Sequence, residues 1–150
     1  MEPVTNRLNI NDTDKIMALN RLFGEVFDDT LQYVDKKPSA DYLKQWLNNN
    51  DNIALAAEMN GEVVGGLVAY TLHKFEQERS EVYIYDLAVA KLYHRHGIAT
   101  KLINALRHVA KKKGSYIIFV QAEEDESSVK FYESLHPSEN ISARSFDIEV

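Results

Sequence analysis

The chain has 150 residues, of which 45% are hydrophobic and 27% charged, and it contains no cysteine. This length fits one compact domain, so we expect residues 1–150 to form a single domain. The absence of cysteine excludes disulfide bonds, thiolate chemistry and cysteine-ligated zinc. No run reaches the roughly 18 apolar residues of a membrane helix. Because residues 1–10 also lack a secretory signal pattern, we expect a cytoplasmic protein with no membrane partner.

The formal net charge at pH 7 is −6, with 23 acidic side chains against 17 Lys and Arg. Proteins that bind nucleic acid need a basic surface, so we expect no nucleic-acid partner. An acidic cleft concentrates cations, although many proteins are acidic only for solubility. The charge therefore allows a cationic substrate without establishing one.

The first half of the chain predicts a short strand, two helices and a β-hairpin. A strand near residues 5–9 precedes a helix that begins at residue 11 or 12. A second helix follows Pro38-Ser39 and ends in the asparagine-rich segment 48–52. Two strands, 53–59 and 63–72, are joined by Asn60-Gly61, a strong hairpin signal because both residues tolerate positive φ. The apolar sides of the two helices are Ile16, Leu19, Phe23 and Val26, and then Tyr42, Leu43, Trp46 and Leu47.

The second half predicts strands that alternate with helices. A strong strand over 81–89 has its alternating pattern broken by Asp86. A helix from Ala99 ends in a lysine run and Gly114, where cations complement the helix dipole and glycine ends the helix. We expect strand 116–122 to pair in parallel with strand 81–89, because a crossover helix connects them. A short helix over 127–135 and a last strand over 141–148 complete a mixed α/β fold.

The segment 93–100 lies between a strand and a helix and has the sequence Tyr93-His94-Arg95-His96-Gly97-Ile98-Ala99-Thr100. A glycine before small residues at a helix start leaves backbone N–H groups exposed, and Arg95 adds positive charge, so the segment can bind an anion. The same pattern also fits a tight turn that simply needs Gly97. Neither the dinucleotide fingerprint G-x-G-x-x-G nor the P-loop motif is present. The pattern therefore favours another phosphate-bearing cofactor over those of kinases and Rossmann dehydrogenases.

With these segments the chain resembles the GCN5-related N-acetyltransferase (GNAT) superfamily. Gly97-Ile98-Ala99 matches the end of its pyrophosphate motif, although His94 stands where the family has Arg or Gln. The resemblance implies a single-domain fold whose mixed central sheet has a bulge at Asp86 and splayed parallel strands, with flanking helices. Acetyl-coenzyme A would place its pantetheine arm in the gap between those strands. The cofactor-binding residues implied are Leu87, Ala88, Val89, Arg95, His96, Gly97, Ile98, Ala99 and Thr100.

Within the superfamily the chain resembles the type I aminoglycoside 3-N-acetyltransferases, the gentamicin-modifying enzymes. The most specific block covers residues 75–89 and includes Tyr83-Ile84-Tyr85-Asp86-Leu87-Ala88-Val89, whereas residues 137–145 depart from that family. The resemblance implies acetylation of the 3-amino group of an aminoglycoside such as gentamicin, by direct transfer in a ternary complex, with antibiotic resistance as the outcome. It also implies a homodimer, with which the exposed edges of a small sheet are compatible.

Acetylation of an amine needs a neutral amine, a stabilised oxyanion and a proton for the leaving thiolate. Asp86 is the candidate base, acting directly or through water, although such a carboxylate can also simply satisfy local N–H groups. Tyr132 is the candidate acid at the cofactor sulfur, a role that only the resemblance supports, because a tyrosine on a short helix is more often part of the core. The backbone N–H of Leu87 or Ala88 is the candidate oxyanion donor.

Acidic side chains are candidates for binding the ammonium groups of an aminoglycoside, and we expect some of them to line the cleft. These candidates are Asp35, Asp41, Glu76, Glu81, Glu123, Glu124, Asp125, Glu126 and Asp147. No metal is expected, because the histidines have no recognised zinc spacing. The alternative functions are acetylation of a polyamine, a small amine or a protein amine, or coenzyme A binding without turnover.

Overall fold

The structure is a computed structural model that describes residues 2–150. Its contacts divide the chain into two compact units, the residues up to Val120 and Gln121–Val150. The expectation that residues 1–150 form a single domain therefore stays a prediction.

The first unit contains the sheet and most of the helices. In chain order its elements are β1 (Val4–Arg7), α1 (Thr13–Val26), a π-helical turn (Leu31–Asp35), α2 (Ala40–Asn48), β2 (Asn52–Met59), β3 (Glu62–His73), β4 (Ser80–Val89), a 3₁₀ turn (Lys91–Tyr93), α3 (Ile98–Lys113) and β5 (Ile117–Val120). The second unit contains α4 (Glu126–Glu133). No helix among residues 2–150 is long and apolar enough to cross a lipid bilayer.

The strands form one five-stranded sheet in the order β1-β2-β3-β4-β5. Pairing is antiparallel from β1 to β4, while β4 and β5 are parallel and are connected through α3. The predicted parallel pair and the mixed α/β fold class are thus confirmed. The hairpin turn is also confirmed, with φ of 53° at Asn60 and 80° at Gly61, values that fit a turn with two left-handed residues.

Two adjacent glycines in β3 allow helices to pack closely on both faces of the sheet. A Cβ at Gly66 would lie 2.2 Å from Cδ1 of Leu19 in α1, and a Cβ at Gly65 would lie 3.0 Å from Cγ2 of Ile98 in α3. Successive strand residues point to opposite faces. The helices α1 and α3 therefore cover opposite faces, and α2 packs on the α1 face, where Leu43 belongs to the same buried cluster as residues of α1 and β2.

Two expectations from the sequence were wrong. No strand is present over 141–148, where Ile141, Phe146 and Ile148 are 74%, 79% and 88% exposed. An alternating segment becomes a strand only where a sheet edge pairs with it and a core covers its apolar side, and these side chains face solvent. On α2, Leu43 is buried but Tyr42 is 60% exposed, so the buried stripe of this helix is narrower than the pattern predicted.

Candidate active site

A β-bulge in β4 sets the direction of Asp86. Val68 pairs with Asp86 and Ala69 pairs with Ile84, so Tyr85 is the extra residue. The two residues of such a bulge present their side chains on the same face and shift the alternation of the strand that follows. Paired residues share a face, and Val68 packs against the buried cluster of α1. The bulge therefore turns Asp86 toward the face that carries α1, and the bulge expected at this residue is confirmed.

The pairing between β4 and β5 stops just before the bulge. The parallel pairs run from Glu81 with Ile117 to Ile84 with Val120, where β5 ends, whereas β4 continues to Val89. Within the first unit, residues 85–89 of β4 therefore have no strand partner on their β5 side. This open edge includes Leu87 to Val89, the segment whose backbone is the candidate for binding a pantetheine arm.

The Asp86 carboxylate is held by a tyrosine that the sequence did not predict. Tyr33 Oη donates a hydrogen bond of 2.7 Å to Oδ1 of Asp86. Burial raises the pKa of Asp86 above its ordinary value, and the hydrogen bond from Tyr33 opposes that rise. Burial and the hydrogen bond to Asp86 both raise the pKa of Tyr33. At neutral pH the phenol therefore stays protonated and keeps the carboxylate in one orientation.

The position of Tyr33 depends on the π-helical turn and on two phenylalanines of the preceding segment. The Tyr33 ring centroid lies 5.8 Å from that of Phe23 and 5.7 Å from that of Phe27. Gly24 admits this turn, since a Cβ there would lie 2.9 Å from Cγ2 of Val34. The segment 31–35 has no apolar periodicity of its own, so only its neighbours in the fold identify Tyr33 as part of the site.

The predicted phosphate-binding turn has the backbone geometry of an anion site. Gly97 precedes α3 with φ of 74°, and Arg95 also has a positive φ of 65°. The first intrahelical bond runs from Lys101 N to Gly97 O at 3.0 Å, so the preceding N–H groups of the first turn have no acceptor within the helix. A Cβ at Gly97 would meet no atom within 4 Å. A phosphate group can thus approach these N–H groups closely.

One histidine fastens this turn to the end of β4, and a second closes a contact within the turn. His94 Nε2 lies 2.8 Å from the carbonyl oxygen of Val89, and His96 Nδ1 lies 2.9 Å from that of His94. His94, which stands where the family has Arg or Gln, therefore acts as a link between the turn and the strand. The other residues predicted for the cofactor, Ile98 to Thr100, lie in the first turn of α3.

The acidic candidates next to β4 lie in a network of local ion pairs. Glu76 lies 3.6 Å from the Lys74 ammonium and 3.8 Å from the Arg79 guanidinium. Glu81 lies 3.9 Å from the same ammonium and accepts a hydrogen bond from Tyr116 Oη. Nearby cations thus balance both charges, which weakens their attraction for a ligand. Asp35 is exposed in the same π-helical turn as Tyr33.

Asp41 is exposed in the first turn of α2. The remaining candidates lie in the second unit. Asp125 is the N-cap of α4 and accepts hydrogen bonds from Ser128 N at 2.9 Å and Ser127 Oγ at 2.8 Å, so a structural role explains it. Burial raises the pKa of Tyr132 to about 12, which keeps this phenol protonated and able to donate. Their functional roles stay predictions, as do those of the other acidic candidates of this unit, the exposed Glu123, Glu124, Glu126 and Asp147.

No group of three or more His, Cys, Asp or Glu side chains that could hold a metal ion occurs in the described part of the chain. The expectation that no metal takes part stays a prediction. The groups that the described residues present at the bulge are the carboxylate of Asp86, the phenol of Tyr33 and the open backbone edge of β4.

The comparisons with known proteins agree with this geometry. Residues 19–136 match the acetyltransferase (GNAT) family. The chain belongs to this family. No curated protein sequence matches it significantly. The bulge in β4, the open edge after it and the glycine turn before α3 are features that the resemblance to this family implied. GNAT enzymes take their acetyl group from acetyl-coenzyme A.

Several solved GNAT structures are similar over the whole chain. An aminoglycoside acetyltransferase from an uncultured soil metagenomic sample is 43% identical, with 100% of this chain and 99% of that chain covered and a TM-score of 0.95. A second one, also from an uncultured soil metagenomic sample and solved in complex with sisomicin, is 33% identical, with 99% and 96% covered and a TM-score of 0.90. The predicted resemblance to aminoglycoside N-acetyltransferases is thus confirmed.

A third structure shows the fold alone. AAC(6′)-Iy, solved in complex with the bisubstrate analogue CoA-S-monomethyl-acetylneamine, is 15% identical, with 100% of both chains covered and a TM-score of 0.77.

Proposed function

We propose that this GNAT acetyltransferase transfers the acetyl group of acetyl-coenzyme A to an amino group of an aminoglycoside, within a ternary complex. The observation that carries the proposal is the half-buried Asp86 carboxylate, which the bulge presents where the pairing of β4 with β5 stops. The two relatives at 43% and 33% identity, both aminoglycoside acetyltransferases and one solved with sisomicin, support this acceptor. The 3-amino group as target, gentamicin as substrate and antibiotic resistance as outcome belong to the same proposal.

The chain's own residues fit a long phosphate-bearing cosubstrate. Acetyl-coenzyme A, when bound, supplies the acetyl group as a thioester. The N–H groups at the start of α3, the backbone of the 94–97 turn and the Arg95 side chain would hold its phosphates. The open edge of β4, from Leu87 to Val89, would form hydrogen bonds to the pantetheine arm.

Asp86 would prepare the acceptor for reaction. A free alkyl amine has a pKa near 10 and is protonated at neutral pH, so one proton must leave before the nitrogen can attack. The half-buried Asp86 carboxylate attracts the ammonium group and then accepts this proton, directly or through a water molecule. Because burial raises its pKa, Asp86 is a stronger base than an exposed aspartate, and Tyr33 fixes its orientation.

The developing oxyanion and the leaving thiolate need donors. A backbone N–H of Leu87 or Ala88, at the open edge of β4, would stabilise the oxyanion. The Tyr132 phenol, which is protonated at neutral pH because burial raises its pKa to about 12, would supply the proton to the thiolate. This assignment of Tyr132 is supported by its protonation state and by the family resemblance of its helix.

The decisive experiment measures thiol release from acetyl-coenzyme A with gentamicin, kanamycin, spermidine and a lysine peptide as acceptors. The proposal expects release with gentamicin, and mass spectrometry followed by NMR of the product identifies the modified amino group. Release with spermidine or the peptide but not with the drugs would replace the aminoglycoside by a polyamine or a protein amine. No release with any acceptor, while coenzyme A still binds, would favour a module that binds the cofactor without turnover.

We also propose that the protein works in the cytoplasm as a homodimer. The edge strands β1 and β5 each pair with a single neighbour within the described sheet, and sheet edges of this kind are suited to pairing between copies. Light scattering coupled to size-exclusion chromatography tests the dimer, and a monomeric mass across the working concentration range would reject it.

A further inference from the structure

A continuous row of five aromatic side chains crosses the sheet beside the bulge. This aromatic row consists, in spatial order, of Trp46, Tyr70, Tyr85, Tyr83 and Phe119. Successive ring centroids lie 5.9, 5.8, 6.0 and 4.8 Å apart. The first three contacts are edge to face and the last is stacked, both of which are favourable geometries for aromatic pairs.

The strand register places these rings side by side. Tyr70 pairs with Tyr83 across β3 and β4, and Tyr83 pairs with Phe119 across β4 and β5, so the three share one face. The contact between Trp46 and Tyr70 identifies it as the face on which α2 packs. The bulge turns Tyr85 to the same face, since both residues of the bulge point the same way.

The row is exposed at Tyr85 and lies next to a negative charge. The Tyr85 side chain is 57% exposed, whereas the other four rings are partly buried. Asp86 directly follows Tyr85 at the bulge and points to the same face, so its carboxylate lies at the edge of the row. An exposed aromatic surface beside a half-buried carboxylate is typical of a ligand site rather than of a folding core.

The chemistry of this surface selects a ligand that combines a ring face with positive charge. Aromatic faces carry negative potential and attract cations, and a carboxylate forms strong hydrogen bonds with an ammonium group. A cyclic amino sugar has both a C–H face and ammonium groups. A linear polyamine or a lysine side chain carries the charge without the ring face.

We propose that the aromatic row is the surface on which a cyclic amino sugar binds, with a sugar ring on Tyr85 and an ammonium group toward Asp86. This inference rests on the proposed function and refines it, because the row favours ring-shaped acceptors over linear amines. The net charge of −6 favours such a cationic ligand as well.

Substitution of Tyr85 tests the contribution of the ring. Tyr85→Ala removes the ring, while Tyr85→Phe keeps it and removes only the hydroxyl. Phe75→Ala is the matched control, because Phe75 is 100% exposed and lies in the loop between β3 and β4. Gentamicin and spermidine are titrated by calorimetry in the presence of coenzyme A, so that binding is measured without turnover, and the Kd for coenzyme A checks that each variant is intact.

Tyr85→Ala should raise the gentamicin Kd about tenfold, and Tyr85→Phe should raise it less than about threefold. Phe75→Ala should bind gentamicin like the wild type, and the spermidine Kd of Tyr85→Ala should change less than the gentamicin Kd. Unchanged gentamicin binding by Tyr85→Ala would overturn the inference. An equal loss in Tyr85→Ala and Tyr85→Phe would also overturn it, because the hydroxyl and not the ring face would then be responsible.

Thiol release by the wild type, measured in parallel, separates this inference from the proposed function. If the wild type releases thiol with gentamicin and Tyr85→Ala binds gentamicin normally, the proposed activity is supported and the binding role of the aromatic row is overturned. If gentamicin binding depends on the Tyr85 ring but the wild type releases no thiol, the binding role of the aromatic row is supported and the proposed activity is overturned. A wild type that does not bind gentamicin overturns both.

Discussion

The two glycines that flank α3 provide a matched pair for testing the phosphate-binding turn. Gly97 precedes the helix with φ 74° and ψ 13°, and Gly114 follows it with φ 74° and ψ 18°. A Cβ would meet no atom within 4 Å at either position. Alanine at either site therefore introduces the same left-handed strain, about 1–2 kcal/mol. For a chain of this length that loss lowers Tm by roughly 2–8 °C.

Only Gly97 borders the predicted anion site, so the two variants should differ in coenzyme A binding. Gly97→Ala relieves its strain by rotating the turn away from its present φ, which misdirects the N–H groups at the start of α3. If that strain energy is lost from binding, the Kd for coenzyme A rises roughly tenfold. Gly114→Ala should bind coenzyme A like the wild type, because it changes only the far end of the helix.

Calorimetric titration with coenzyme A and thermal unfolding without ligand measure the two effects separately. The role of this turn in coenzyme A binding is refuted if Gly97→Ala loses Tm but binds coenzyme A with the wild-type Kd. It is equally refuted if Gly114→Ala weakens binding as much as Gly97→Ala, since the effect would then follow stability and not the turn.

Three further predictions concern Asp86 and the packing beneath it. Tyr33→Phe removes the hydrogen bond that lowers the Asp86 pKa, so the acidic limb of the kcat/KM profile should move to higher pH while the Kd for coenzyme A stays constant. An acidic limb at the wild-type pH would show that Tyr33 does not influence the catalytic base. Asp86→Asn should lower kcat about a hundredfold or more. Burial raises the Asp86 pKa, so the ionised carboxylate lowers the folding stability at pH values above that pKa. Asp86→Asn should therefore also have a higher Tm than the wild type at pH 8. A lower Tm would show that the ionised carboxylate stabilises the fold. Gly66→Ala should lower the free energy of unfolding by about 1–3 kcal/mol in urea titrations, since its Cβ would lie 2.2 Å from Leu19 Cδ1 and 2.9 Å from the Leu55 carbonyl oxygen. An unfolding midpoint at the wild-type urea concentration would show that α1 can shift away from the new methyl group.

The sequence by itself determined the features that depend on local backbone chemistry. The turn at Asn60-Gly61 and the glycine before α3 need positive φ, which few residues adopt, so the residue type alone located both. Asp86 breaks the alternation of a strong strand, and the family resemblance implied a bulge at that break, which the strand register confirms. The parallel pairing of β4 with β5 followed from the intervening helix, because a strand–helix–strand unit usually forms a right-handed crossover between parallel strands.

Only the tertiary structure decided which side chains meet at the site. Tyr33 binds Asp86 across 53 positions of the chain, and no local pattern in 31–35 indicates that contact. The aromatic row draws its rings from four elements and exists only because register and bulge bring them to one face. Glu76 and Glu81 resembled ligands for a cation, yet lysine and arginine side chains lie beside them. Local chemistry fixes backbone conformation, whereas a site depends on the pairing of distant segments, which a single sequence leaves open.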